Sequence, residues 1–249
     1  MGVSAPAAAK SGGLSTVVDT IAAPAEAFER LQTMPTWGWA LIIAIVLLFV
    51  GTYLQLPAQH HAATAQAQRM VNGPLFATAT AERKQAAVAN AGKTSVFTFL
   101  GPLLGLFIGV FLNTVFMLIG NAAARGQADF KRLWCGSMNI AVPTIGLGSV
   151  ALGIIATIRG ADSFDSSLSL AQAIPSLGSF TPHGSAALVA FLSAISVFSV
   201  WGFFLNATML RVTSKTSPAI AYTFAALVLL LGALFAGGGV AMAHRFGVL

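Results

Sequence analysis

Charged residues are scarce in this sequence. They make up 8% of its 249 residues, where a soluble domain carries about 25%. Hydrophobic residues make up 56%. Such a chain cannot cover itself with polar side chains, which excludes a water-soluble globular fold and makes lipid part of its solvent. Cysteine occurs once, at Cys135, so no intramolecular disulfide can form. The residue reads as a small buried side chain. No GxxxxGK[ST], HExxH or CxxC motif occurs. The acidic pairs Glu26/Glu29 and Asp162/Asp165 fall in connections, and no nucleophile has a plausible base. These absences predict no catalytic residues, no metal site and no cofactor. The net charge of +6 lies beside apolar runs, where it reflects topology and anionic headgroups rather than nucleic-acid binding.

What is present is long apolar sequence. A bilayer core takes roughly 20 apolar residues in a helix. Five stretches qualify: Thr36–Leu56 closed by Pro57, then about Ser95–Gly120, Trp134–Ile158, Ala186–Leu210 and Ala219–Ala243. None contains Asp, Glu, Lys or Arg. Backbone groups in lipid must be satisfied internally, so the expected fold is all-α, with five transmembrane helices. The ten-residue alternation of a membrane barrel is missing. The first run starts near Trp37, too late and too long for a secretory signal core. Pro6 stands where a myristoylation signal at Gly2 wants Ser or Thr. The first span is therefore expected in the mature protein.

The connections set a side. Arg125, Lys131 and Arg132 lie in one short connection, and Arg211 and Lys215 in another. Positive charge in short loops favours the cytoplasm, so these five residues read as topology anchors, with the N-terminus in and the C-terminus out. Arg69, Arg83, Lys84 and Lys93, in the connection Pro57–Thr94, pull the other way. Residues 1–35 read as a cytoplasmic tail: a small-residue start, then short amphipathic helices on the membrane surface, with docking onto a partner as the alternative. Residues 36–249 form the membrane domain, and 57–94 a helical outer connection broken at Asn72–Pro74. Adjacent His60 and His61 would face different ways on a helix, which argues against a shared metal. His183 and His244, at span ends, read as interfacial anchors.

Small and polar residues within the spans are the remaining candidates. Gly101, Gly105 and Gly109 share a face of the second span with Asn113, a pattern for close helix packing within the chain or against a partner. The third span carries Asn139 and Pro143, with Gly146 and Gly148 beyond. Pro143 predicts a kink and a freed carbonyl near Asn139, which a neighbouring helix or hydroxyl can satisfy. The fourth holds Ser193, Ser196 and Ser199 at three-residue steps, read as a packing face, then Trp201 and Asn206. Ionisable groups, which mark pumps, proton-coupled carriers and voltage sensors, are absent from the spans.

The order of motifs carries a resemblance. A tail "PAEAFERL" precedes the first span. The second ends "FLNTVFMLIGNAAARGQADFKRLWCGSMNIAVP", and the last pair reads "VFSVWGFFLNATMLRVTSKTSPAIAYTFAALVLLL". From about Ile21 onward the chain resembles the Yip domain family, the Rab/Ypt-interacting membrane proteins and their bacterial relatives. The matching positions are the tail motif Pro24–Phe28, the turn "RGQADF" leading to Pro143, and Trp201–Leu210 leading into Ser217–Ala226. The resemblance implies five spans and a cytoplasmic N-terminus. In eukaryotic members it implies vesicle traffic and contact with prenylated GTPases. This tail is short and alanine-rich, which argues against carrying GTPase binding over and points to the bacterial branch in an inner membrane. The reading is a non-enzymatic scaffold, assembly factor or accessory subunit, partnered by the bilayer and by other membrane proteins or itself. The alternative is a transporter, channel or lipid-handling protein using Asn113, Asn139 and Asn206 around Pro143.

Overall fold

The computed structural model of the protein describes residues 12–73, 76–181 and 184–245. The described residues are built from helices and turns, joined by one isolated antiparallel bridge between Ser176 and Ser196. Two short helices come first, α1 (Gly13–Ala22) and α2 (Pro24–Thr33). The long α3 (Gly38–Val71) follows, then α4 (Ala81–Ala91) and α5 (Phe97–Ala123). The helix α6 (Phe130–Ala141) passes through a π-turn at Val142–Gly146 into α7 (Leu147–Arg159). After α8 (Ser167–Ala171) come α9 (Ala186–Ser193), α10 (Val197–Ser214) and α11 (Pro218–Arg245). Four rods are long and apolar enough to cross a membrane: Gly38–Val71, Phe97–Ala123, Phe130–Arg159 and Pro218–Ala243.

The fourth expected span, Ala186–Leu210, is not one helix. It breaks between Ser193 and Val197. Ser196 caps α10 by accepting from the Ser199 N–H at 3.3 Å, and Ser199 accepts from the Ser196 N–H at 2.7 Å. This reciprocal box starts a new helix. Ser196 and Ser199 are thus cap residues, not a packing face. The loop at Pro175–Leu177 fills the break: Leu177 N–H donates to the Ile195 carbonyl at 3.1 Å and Val197 N–H to the Pro175 carbonyl at 3.3 Å. Both halves still align along α11. Phe203 lies against Tyr222, with ring centroids 5.8 Å apart. A Cβ at Gly237 would lie 2.9 Å from Ala187 O and from Phe191 Cβ. The antiparallel register therefore runs through the break.

Pro57 does not close the first span. The helix continues through it to Val71, giving a rod about 50 Å long, well beyond the bilayer core. Water can satisfy the carbonyl that a proline frees once the sequence turns polar. The projecting end ties into the chain around it. His60 Nε2 pairs with Thr94 Oγ1 at 2.8 Å, His61 Nδ1 with the Phe164 carbonyl at 2.9 Å, and Arg69 Nη2 with Asp165 Oδ2 at 2.5 Å. These contacts, with α4 and α8, form the cap end of the molecule. His60 and His61 each have a different partner.

The opposite, hairpin end holds α1, α2 and the turns after α5 and α10. Phe28 and Leu31 of α2 are fully buried in one core cluster with Met117, Leu133, Met209 and Leu210. Gln32 Nε2 donates to the Val212 carbonyl at 2.9 Å, and Arg30 bridges to Asp19 at 2.6 Å. The α2 face expected to lie on a membrane surface is instead packed on the chain's own bundle. Leu14, Val18 and Ile21 of α1 remain exposed. A break at Asn72 ends α3 as expected. The expectations for Gly2, Pro6, Pro74, His183 and the His244 side chain fall outside the described residues.

Candidate functional site

Helix α5 brings Asn113 to the centre of the bundle. Its Nδ2 donates to Ser137 Oγ of α6 and to Asn206 Oδ1 of α10, both at 2.9 Å. Three helices thus meet at one polar node. Seven residues of α6 precede Ser137 and eight of α10 follow Asn206, which sets the node about 10 Å from the helix ends at the hairpin end. The node borders a cavity of about 330 Å³. Gly109, Thr144, Phe203, Val228, Leu229 and Gly232 form much of its wall. Among the described residues, no Asp, Glu, Lys, Arg or His lines it. A second cavity of about 290 Å³ shares Thr144 and continues toward the cap end past Gln55 and Gln59.

Asn206 is 6% exposed. Among the described residues, its Nδ2 and the Oδ1 of Asn113 have no hydrogen-bond partner. One donor and one acceptor are left over. Exchanging O and N in both amides leaves again one of each. The node can therefore hold an uncharged group through hydrogen bonds, and nothing there can offset an ionic charge.

Asn139 does not join them. It is 1% exposed and donates to the Cys135 carbonyl at 2.8 Å and the Thr36 carbonyl at 3.1 Å, while its Oδ1 is buried without a partner. Pro143 sits in the π-turn. Thr144 Oγ1 donates to the Ile140 carbonyl at 2.8 Å, and Val142 N–H to the Asn139 carbonyl, so the carbonyl freed near the proline is satisfied locally. Such π-turns inside α-helices are frequent at functional positions.

The glycine stripe is not a seam within the chain. A Cβ at Gly101 or Gly105 would meet nothing within 4 Å, and one at Gly109 only Ile145 Cδ1 at 3.9 Å. At the other end of α5, a Cβ at Gly120 would lie 2.7 Å from the Phe224 ring of α11. α5 is therefore held against α11 near the hairpin end, and among the described residues nothing packs closely on its glycine face at Gly101 and Gly105. Close helix approach occurs elsewhere. A Cβ at Gly51 of α3 would lie 2.6 Å from the Ser149 carbonyl oxygen of α7, and one at Gly153 2.9 Å from the Gly51 oxygen. Gln55 fastens the same crossing, donating to Ser149 O at 3.0 Å and Oγ at 3.2 Å.

The basic residues named from the sequence gather at the hairpin end. Arg125, Lys131, Arg211 and Lys215 are exposed and Arg132 is partly so. Arg125 and Lys215 occupy left-handed backbone conformations, with φ of 52° and 53°. Asn121 holds the first turn by bonding both the N–H and the carbonyl of Ala128, at 3.1 and 3.0 Å. Phe130 stacks on Trp134. Ser137, Gln55 and Asn121 are the polar residues that spacing alone does not single out. Gln55 and Ser137 each partner a helix that only the tertiary fold brings near, and Asn121 closes its own turn seven residues on.

An all-helical bundle with several uncharged rods and its charges at the two ends defines a multi-pass integral membrane protein. Residues 18–237 match the Yip1 domain, and the chain belongs to that family. It is similar to membrane protein YknW of Bacillus subtilis (strain 168), 25% identical over 236 residues, covering 92% of this chain and 94% of that one. No solved structure matches the chain.

Proposed function

We propose that the protein is a non-enzymatic scaffold or accessory subunit that presents its cap end to a partner protein outside the bilayer. The observation that carries this is the α3–α4 hairpin. α3 projects past the membrane layer, is braced by Arg69–Asp165, and supports α4, none of whose residues is buried. That leaves Glu82, Arg83 and Lys84 on an uncommitted helical surface. Phe28 and Leu31 are committed to the chain's own core, so the GTPase contact of eukaryotic relatives is outside this proposal.

The proposed topology has five traversals, counting α9 with α10 as one broken segment, in a bacterial inner membrane. The hairpin end faces the cytoplasm. Its exposed Arg125, Lys131, Arg211 and Lys215 support this side. At the cap end, Arg69 is paired with Asp165, which offsets one of the positive charges there. Cys135 is buried, so introduced cysteines report cleanly. A membrane-impermeant maleimide should label Lys84→Cys in intact spheroplasts and Lys215→Cys only after lysis; the reverse pattern overturns the orientation. Gentle-detergent purification with mass spectrometry should recover a partner that Arg83→Glu/Lys84→Glu releases. A monomer recovered alone overturns the scaffold reading.

A further inference from the structure

We infer that the cavity at the Asn113–Asn206 node is a binding site for a lipid alcohol, an uncharged long-chain molecule bearing a hydroxyl group. This goes beyond the scaffold reading and does not depend on it. The cavity holds about 330 Å³, within the range of small-molecule sites, about 300–1,000 Å³. Its wall is mostly aliphatic and aromatic. The hydroxyls of Thr144 and Ser199 also line it, but each donates to a carbonyl of its own chain, of Ile140 and Ser196; at the node Asn206, 6% exposed, keeps an unused amide group. Among the described residues, an unpartnered donor on buried Asn206 and an unpartnered acceptor on half-buried Asn113, on amides that are bonded to each other at the cavity wall, call for a ligand offering the complement, and a hydroxyl can both donate and accept.

The depth and the walls restrict the class further. The node lies among the uncharged stretches of α5, α6 and α10, and among the described residues no ionisable side chain lines the cavity. A phosphate or ammonium headgroup there would be buried without a counter-charge. A neutral alcohol such as a diacylglycerol or an isoprenoid alcohol can reach that depth. A transmembrane helix from a partner does not fit: one turn of a helix 10 Å wide takes roughly 420 Å³, more than the cavity. A flexible chain does fit, and the structure provides its path. α5 and α11 touch at Gly120, while Cβ atoms at Gly101, Gly105 and Gly232 would meet nothing. The unpartnered glycine face of α5 leads along one side of the molecule directly to Asn113, so the stripe reads as the smooth wall of a lateral entrance.

The test uses the full chain in vesicles of phosphatidylethanolamine and phosphatidylglycerol. Three probes carry a diazirine in the chain: a diacylglycerol, an isoprenoid alcohol, and a phosphatidylglycerol with the same acyl chains as the diacylglycerol. After irradiation, adducts are mapped by mass spectrometry. At least one alcohol probe should label residues 101–113 of α5 and 228–233 of α11 about tenfold more than phosphatidylglycerol does. Whichever alcohol labels identifies the source. Gly232→Leu should remove that excess by filling the cavity, and its side chain starts in open space, so folding is not at stake. Asn206→Leu should bring the alcohol down to the phosphatidylglycerol level. Equal labelling by all three probes means annular lipid and overturns the proposal. So does an absence of adducts on both segments, which means an empty or hydrated node, or an excess unchanged in Gly232→Leu.

Discussion

Replacing Gly51 by alanine tests where this bundle is tightest. The added methyl would sit 2.6 Å from the Ser149 carbonyl oxygen, where ordinary contact begins near 3.4 Å. The neighbour is main chain, so no rotamer change relieves the clash, and α3 and α7 must part by about 1 Å. Overpacking of this kind costs about 1–3 kcal/mol. The same shift stretches the Gln55 bond to Ser149 O from 3.0 Å beyond hydrogen-bonding range, a loss of about 0.6–1.5 kcal/mol. Alanine's better helix propensity returns about 1 kcal/mol. The net destabilisation is about 1–3 kcal/mol, or a fall in melting temperature of about 3–10 °C. Gly105→Ala is the matched control. It adds the same methyl in an apolar span where nothing lies within 4 Å, and should melt at or slightly above the wild type. Intrinsic fluorescence during a thermal ramp in one detergent reads both. If Gly51→Ala melts with Gly105→Ala, the α3–α7 crossing is not the close contact argued for here.

Other perturbations follow from the same geometry. Lys215→Gly removes a side chain from a left-handed residue with φ of 53° and should stabilise by about 1 kcal/mol, read as a raised melting temperature. Phe28→Ala empties a fully buried site and should cost about 3–5 kcal/mol, with faster tryptic cleavage at Arg30; a tail merely resting on lipid would show neither. Arg69 holds the Asp165 carboxyl below its usual range, chiefly through their hydrogen bond. A depressed carboxylate contributes stability that is present above its unfolded pKa, about 3.9, and lost as pH falls through the folded value. The pair is exposed, so the effect should stay under about 1 kcal/mol. It should appear as faster hydrogen exchange in residues 161–171 below pH 4, absent in Asp165→Asn.

The spans were legible because charge is missing from them, and the four continuous rods fall where the apolar runs do. What the sequence hid has physical causes. Helix α3 outruns its apolar stretch because water can satisfy a polar helix as well as lipid accommodates an apolar one, so hydropathy cannot mark its end. The break before α10 was written in Ser196 and Ser199, but three-residue serine spacing fits a packing face as well as a capping box. It took the Pro175–Leu177 loop, bonded to Ile195 and Val197, to decide between them. The glycines show the limit most clearly. The four-residue spacing of Gly101, Gly105 and Gly109 marks a smooth face, yet says nothing about what covers it. Gly51 and Gly153 belong to different spans, and their shared crossing is visible only in three dimensions. Asn113 and Asn206 each stood out as intramembrane amides; their pairing across 93 residues belongs to the fold, as does the separation of Asn139 from both.

That pairing also separates stability from use. Interhelical hydrogen bonds within membranes contribute about 0.6 kcal/mol each on average, so the two donated by Asn113 add only about 1 kcal/mol to the bundle. Against this stand an unused donor and acceptor at a site where Asn206 is almost fully buried. Two leucines, which have the same branched heavy-atom shape, would leave no polar atom over, and replacing both partners by apolar groups of the same shape can be neutral or stabilising. The tight crossing shared by Gly51 and Gly153, the docked Phe28 and the Asn121 turn fasten the bundle at other places. The node therefore makes physical sense less as a fastening between helices than as a place kept polar for something that arrives along the open face of α5.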